Sequence, residues 1–309
     1  MRKSIWLVSL ALMICLSILL CACSTDNTPS DGANTANTET TGNVDGGENN
    51  SGANTVSQGL EFTSNGNGTC YVYGIGTCTD TDIIIPQTSP EGDSVVAIGK
   101  LAFDSCRSIT SVVIPEGVTK IDDSAFHYCE GIVSISLPNS LTSIGEAAMS
   151  GCKALKSLTI PDSVTSIGSE AFNYCQSLES ITLPNGINTI EDITFGNCES
   201  LESITLPDSV SSIGTAAFSI CKSLKTITIP DNVTFIGIYA FRGCDKLESI
   251  TLGSKVATLA SGSFNNCPSL TAITYRGTTA QWNAIEKAAE WNANTGNYSI
   301  QCTDGNIAK

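Results

Sequence analysis

The chain has 309 residues, enough for one or two domains with a sizeable core. Its 41% hydrophobic content is that of a globular protein, and 30 acidic against 15 basic residues leave a net charge of −15, which excludes nucleic acid and anionic membrane surfaces as electrostatic partners. A single histidine argues against His-based catalysis and multi-histidine metal sites.

Arg2 and Lys3 precede a long apolar run, Ile5 to Leu20, the layout of a secretory signal over residues 1–22. The run ends in Leu20-Cys21-Ala22-Cys23. A small residue before a cysteine, with leucine three positions ahead of it, resembles the bacterial lipobox. That resemblance implies cleavage before Cys23, lipid attachment to its thiol and a place on the extracellular face of a bacterial membrane. An ordinary secretory signal or an uncleaved anchor is the alternative. Residues 23–58 carry Ser, Thr, Asn, Gly, Asp and Glu, with almost no apolar and no basic side chains. Such a segment buries too little surface to offset its ordering entropy, so it reads as a disordered acidic tether.

Residues 59–82 hold two glycine-separated β-like runs, Thr69 to Tyr73 and Ile75 to Cys78. They read as a hairpin covering the end of whatever follows. Cys70 and Cys78 are placed either to bridge it or to stand as two thiols.

Residues 83–275 repeat with a fixed step of 23. Cys106, Cys129, Cys152, Cys175, Cys198, Cys221, Cys244 and Cys267 keep that step, and three positions before each stands Phe, or Met149 in one copy. Pro115, Pro138, Pro161, Pro184, Pro207 and Pro230 keep it too. Self-similarity of this length is the signature of a solenoid. In the unit Leu155 to Leu178, Leu158 and Ile160 alternate with Ser157 and Thr159, as in a short strand. Pro161 ends the strand, Val164 and Ile167 return to the core as a second one, and Gly168 allows a turn. Ala171, Phe172 and Cys175 then fill the interior on a helical or 3₁₀-like turn. The fold class is therefore a β-rich solenoid, a superhelix of 23-residue coils with parallel strands. The first coil is longer, since 29 residues separate Pro86 from Pro115.

Residues 276–309 close the far end. Thr279 can cap a helix carrying Trp282, Ile285 and Ala289 on one face, and Tyr298 to Cys302 reads as a last strand. Trp282 is read as a plug rather than a ligand platform.

The pattern L-x-x-I-x-L-P-x-x-V-x-x-I-G-x-x-A-F-x-x-C resembles the BspA-like, or Treponema-type, leucine-rich repeats. The resemblance implies a cell-surface protein that adheres to host matrix proteins or to other microbes.

No catalytic residue, metal site or cofactor is expected. The cysteine row is a line, whereas a metal needs ligands converging on one point, and a recurring core thiol packs as a small hydrophobe. His127 has no nucleophile and orienting partner marked beside it. Asp162, Asp208 and Asp231 share the slot after proline with Asn139 and Asn185, which is turn chemistry. The outward strand face is the candidate binding surface. Ser157 and Thr159, Ser180 and Thr182, Ser203 and Thr205, Thr226 and Thr228, Ser249 and Thr251 give five consecutive coils two hydroxyls each, flanked by Lys156, Glu179, Glu202, Lys225 and Glu248. Few aromatic rings lie there, which gives sugar stacking little support on that face. The partners expected are proteins or cell surfaces. A passive envelope spacer is the alternative, because Ser and Thr are also ordinary strand residues.

Overall fold

The computed structural model describes residues 55–308, which lie within one compact unit, Gly52–Lys309. The signal segment, Cys23 and the tether up to residue 54 lie outside the described residues.

Each coil has three sides. On the first, the strand Ser157–Thr159 points Ser157 and Thr159 outward and buries Leu158. It pairs in parallel, in register, with Ser180–Thr182 of the next coil. Pro161 then breaks the ladder, and Val164 N–H closes a turn onto Pro161 O at 3.0 Å. The second side is the two-residue strand Ser166–Ile167, paired with Ser143–Ile144. Gly168 makes the corner. A Cβ there would stand 2.6 Å from Glu146 N, so glycine lets adjacent coils approach this closely.

The third side differs from the helical turn expected. Alternate N–H groups go to different places. Ala171, Asn173 and Cys175 donate within their own coil, to Gly168, Glu170 and Phe172 carbonyls. Glu170, Phe172 and Tyr174 donate forward, to Asp192, Thr194 and Gly196 carbonyls of the next coil. This alternation puts Glu170 and Tyr174 in the left-handed region, at φ 58° and 59°. Other coils repeat it, from Leu101 and Ser105 to Asn266. The conformation costs roughly 1 kcal/mol per non-glycine residue. In return every Phe-slot N–H bonds to the following coil, from Phe103 to Phe264, at 2.7–3.0 Å.

The interior is a set of rows. Phe103 and Phe126 stack at 5.1 Å between ring centroids, and Phe172, Phe195, Phe218, Phe241 and Phe264 form a continuous column at 5.2–5.6 Å. Met149 separates the two groups. The thiols from Cys129 to Cys267 are fully buried, and each donates to the carbonyl of the Phe-slot residue one coil back, at 2.9–3.3 Å. Cysteine is thus small enough for the row and still answers a buried carbonyl.

The caps depart from expectation in detail. The N-terminal hairpin pairs Glu61–Ser64 with Thr69–Gly74 in antiparallel fashion, one run earlier than predicted. Ile75 to Cys78 is a turn instead: Gly76 has φ 54°, Cys78 N–H bonds Ile75 O, and Thr77 N–H bonds Gly59 O. Cys70 and Cys78 are free thiols, so the bridge that the sequence allowed is not formed. Cys70 is buried with its sulfur 3.5 Å from Asp93 O, while Cys78 lies beyond the hairpin. Ser57 is buried and exchanges hydrogen bonds with Ile84, so the ordered cap takes in residues before the boundary expected at 59.

At the far end the helix is short, Thr279–Ala284, and its cap is Thr278 rather than Thr279, with Gln281 completing a capping box. Ile285 leaves the helix at ψ 129°, and Glu286–Lys287 join the second ladder beside Thr258–Leu259. Ala289 is exposed and outside the helix, so it does not share the Trp282 face. Trp282 is buried edge-on against Tyr275 and Trp291 and plugs the core as expected. The last strand, Ser299–Cys302, turns back into an unforeseen partner, Gly305–Ala308.

Candidate functional site

The coil places the sequence-predicted hydroxyl face by simple alternation. Ile181 and Ile227 point into the core, so Ser180, Thr182, Thr226 and Thr228 are exposed. Register then aligns like with like: Ser157 faces Ser180, Thr159 faces Thr182, and Thr228 faces Thr251. Ser203 and Thr205 are exposed in line with them, and Ser249 and Thr251 are half-exposed. The rows also run further than expected, to Ser111 and Ser134 at one end and Thr274 at the other.

The face is not one unbroken sheet. Ser203 to Leu206 joins no ladder, and Ser134–Ser136 does not pair with Ser157–Thr159, so the first side consists of three separate ladders among the described residues. The second side is interrupted one coil earlier, between Ile167 and Thr189. No single side chain accounts for the seam. The third-side bonds cross it intact, with Phe172 N–H on Thr194 O and Phe195 N–H on Ala217 O.

The flanking charges also lie in a row. Glu179, Lys225 and Glu248 donate backbone N–H groups to the carbonyls one coil back. Lys225 Nζ meets Glu202 Oε2 at 2.9 Å, and that hydrogen bond holds the Glu202 carboxyl below the usual carboxylate range. Lys156, Glu179 and Glu248 are exposed along the same edge. The surface that results is broad, shallow and hydroxyl-rich, with mixed charge along one side.

The other singled-out residues serve the stack. Asp162 Oδ1 accepts from the backbone and side-chain amides of Asn185, and Asp231 Oδ1 accepts from Ser254 N–H at 2.9 Å. Glu116 likewise accepts from Asn139 and Ser140 N–H groups. These carboxylates staple one turn to the next, and the donated bonds hold Glu116 and Asp231 below the usual carboxylate range. His127 Nδ1 donates to Asp104 Oδ1 at 2.8 Å, again between coils. Burial raises the ladder thiols, Cys175 and Cys221 to about 12, so they are not nucleophiles. Among the described residues, no group of three or more His, Cys, Asp or Glu side chains converges as a metal site would.

The sequence reading missed the exposed rings of the third side, Tyr128, Tyr174 and Tyr239. Their signal was available: two stand two positions after the Phe slot and one stands two before it.

Parallel ladders, inward aliphatic rows and a short return side in every coil define a leucine-rich repeat solenoid. Residues 96–225 and 188–289 match the BspA type leucine rich repeat region, in six copies. The chain belongs to that family. A leucine-rich repeat protein from Bacteroides ovatus is 28% identical, with 72% of this chain and 71% of that one aligned at a TM-score of 0.52. The leucine-rich repeat protein of Treponema pallidum is 23% identical over 72% of this chain and 85% of that one, with a TM-score of 0.40. No curated protein matches the chain.

Proposed function

We propose that this is a lipid-anchored, non-catalytic protein of the bacterial cell surface, and that its array adheres to proteins or to microbial and host surfaces. The observation that carries this reading is the exposed double hydroxyl row on the strand face, aligned coil to coil over a rigid apolar interior. Solenoids offer such extended faces to macromolecular partners. A broad, shallow face suits adhesion to a macromolecule. The anchor rests on the Ala22-Cys23 sequence, and the tether would hold the array away from the membrane.

Two measurements test the reading. The compact unit Gly52–Lys309, immobilised and exposed to extracellular proteins and to microbial cells, should retain a partner in saturable fashion. A passive spacer would retain none. Cells fed a labelled fatty acid should incorporate it into the wild-type chain and not into Cys23→Ala; label in both refutes the anchor.

A further inference from the structure

The third side of the array carries a second surface that the strand-face reading does not use. The slot two residues after each buried Phe adopts a left-handed backbone and points outward. Along the stack it holds Tyr128, Gly151, Tyr174, Asn197, Ile220, Gly243 and Asn266. Tyr128 is 38% exposed and Tyr174 43%. Neither ring contributes to the core, and the left-handed conformation disfavours bulky side chains, so folding does not explain the choice of tyrosine.

The Tyr128 ring is braced. Asp104 holds His127, whose ring lies 4.2 Å from that of Tyr128. The Cδ1–Cε1 edge of the tyrosine ring rests against Gly151, where an added Cβ would come within 2.6 Å of Tyr128 Cδ1. Gly151 thus leaves room for the ring to lie along the stack towards Tyr174. The two tyrosines are two coils apart, about 10 Å at strand-like spacing. Beyond Tyr174 the row reaches Asn197 at the edge of a shallow trough of about 340 Å³, where Ile220, Gly243 and Asn266 lie among two cations, Lys222 and Arg242, balanced by two carboxylates, Glu199 and Asp245. Lys222 Nζ is paired with Glu199 Oε2 at 2.8 Å. Tyr239 is already engaged, with the Arg242 guanidinium 5.7 Å over its ring and Gly262 against its Cδ1–Cε1 edge.

We infer that this track binds an extended, neutral oligosaccharide laid along the solenoid axis. Pyranose rings present apolar faces to aromatic rings and hydroxyls to planar amides. Asn197 Nδ2 donates to Asn173 Oδ1 and Asn266 Oδ1 accepts from Asn294, which leaves Asn197 Oδ1 and Asn266 Nδ2 for sugar hydroxyls in line with the tyrosines. The net charge of −15 disfavours a polyanionic glycan. A peptide strand is disfavoured because the backbone here is already committed: Phe172, Tyr174 and Phe195 N–H groups and the Thr194, Gly196 and Ala217 carbonyls are paired between coils. The site lies on a different side of the coil from the strand face, so the two bindings fail independently.

The test is calorimetric titration of the full-length chain with unbranched neutral hexasaccharides of glucose, mannose and N-acetylglucosamine. At least one should bind, with saturation. Tyr174→Ala and Tyr128→Ala should each weaken it about tenfold, the cost of one aromatic stacking contact. Tyr174→Phe should retain affinity, and Thr182→Lys should leave it unchanged. Melting of the tyrosine variants, whose rings are outside the core, should match wild type. The inference is overturned if no hexasaccharide binds at millimolar concentration, if binding survives both alanine variants, or if Thr182→Lys abolishes it.

Discussion

Replacing Phe218 tests how the coils hold together. The ring is fully buried, stacked at 5.3 Å on Phe195 and at 5.2 Å on Phe241, within 15° and 4° of parallel. Phe218→Ala removes both stacks and leaves a ring-sized void, which costs about 3–5 kcal/mol. Each stack accounts for about 0.5–1.5 kcal/mol beyond buried area. Met149 shows what the same slot tolerates, since a thioether there is fully buried between Phe coils. Phe218→Met fills most of the void and loses only the stacking, so it should cost about 1–3 kcal/mol. Against a total stability of about 5–15 kcal/mol the alanine change is large. Urea unfolding followed by circular dichroism reads both variants. Because each coil contacts only its neighbours, the alanine variant should also split the transition in two at the damaged coil. Equal losses for alanine and methionine would refute the packing argument.

Other expectations follow from single atoms. Ser263 occupies the slot held by Ala217 and Ala240, and its wholly buried hydroxyl has no hydrogen-bond partner; Ser263→Ala should stabilise the array by about 1 kcal/mol, seen as a raised Tm. Cys152, Cys175, Cys198, Cys221 and Cys244 have thiols raised by burial. They should resist iodoacetamide at pH 8 in the native state and react once unfolded. Unfolded thiols lose their protons from about pH 8.5, whereas Cys175 and Cys221 keep theirs to about 12. Stability should therefore fall as pH rises through that window, with a urea midpoint that stays level contradicting it. The carboxyls of Glu116 and Asp231 are depressed by bonds from the next coil, so their contribution is present above the ordinary carboxylate range and lost as pH falls below it. Asp231→Asn should flatten that acid-side loss, measured as urea midpoint against pH.

Much of the fold is legible because function-neutral core slots repeat by identity. Phe, Cys and Pro at fixed spacing place the rows, and Ser-Ile-Thr alternation gives the strand face its direction. The third side is not legible in that way. Its left-handed slots hold Leu101, Glu170, Ile193 and Tyr239, none of which announces a positive φ, so an Ala-Phe-x-x-Cys run reads as a helical turn. The hydrogen bonds that force it belong to the neighbouring coil and have no local signal. The caps mislead for a similar reason. Ile75 to Cys78 alternates like a strand, but the carbonyl of Gly59 captures Thr77 N–H and fixes a turn. The C-terminal helix stops at Ala284 because Glu286–Lys287 gain ladder partners. The cysteine row was legible as core, but the thiol bonds to Phe carbonyls emerge only from coil stacking.

The strand face is tested most directly by Thr159→Lys, Thr182→Lys, Thr205→Lys and Thr228→Lys combined in one chain. All four side chains are exposed, so the array should still unfold cooperatively, with the melting point lowered only by the repulsion of lysines stacked about 4.8 Å apart. Retention of the captured protein or cell surface should fall to background in this variant. Retention equal to wild type, on a correctly folded array, would contradict the assignment of adhesion to this face.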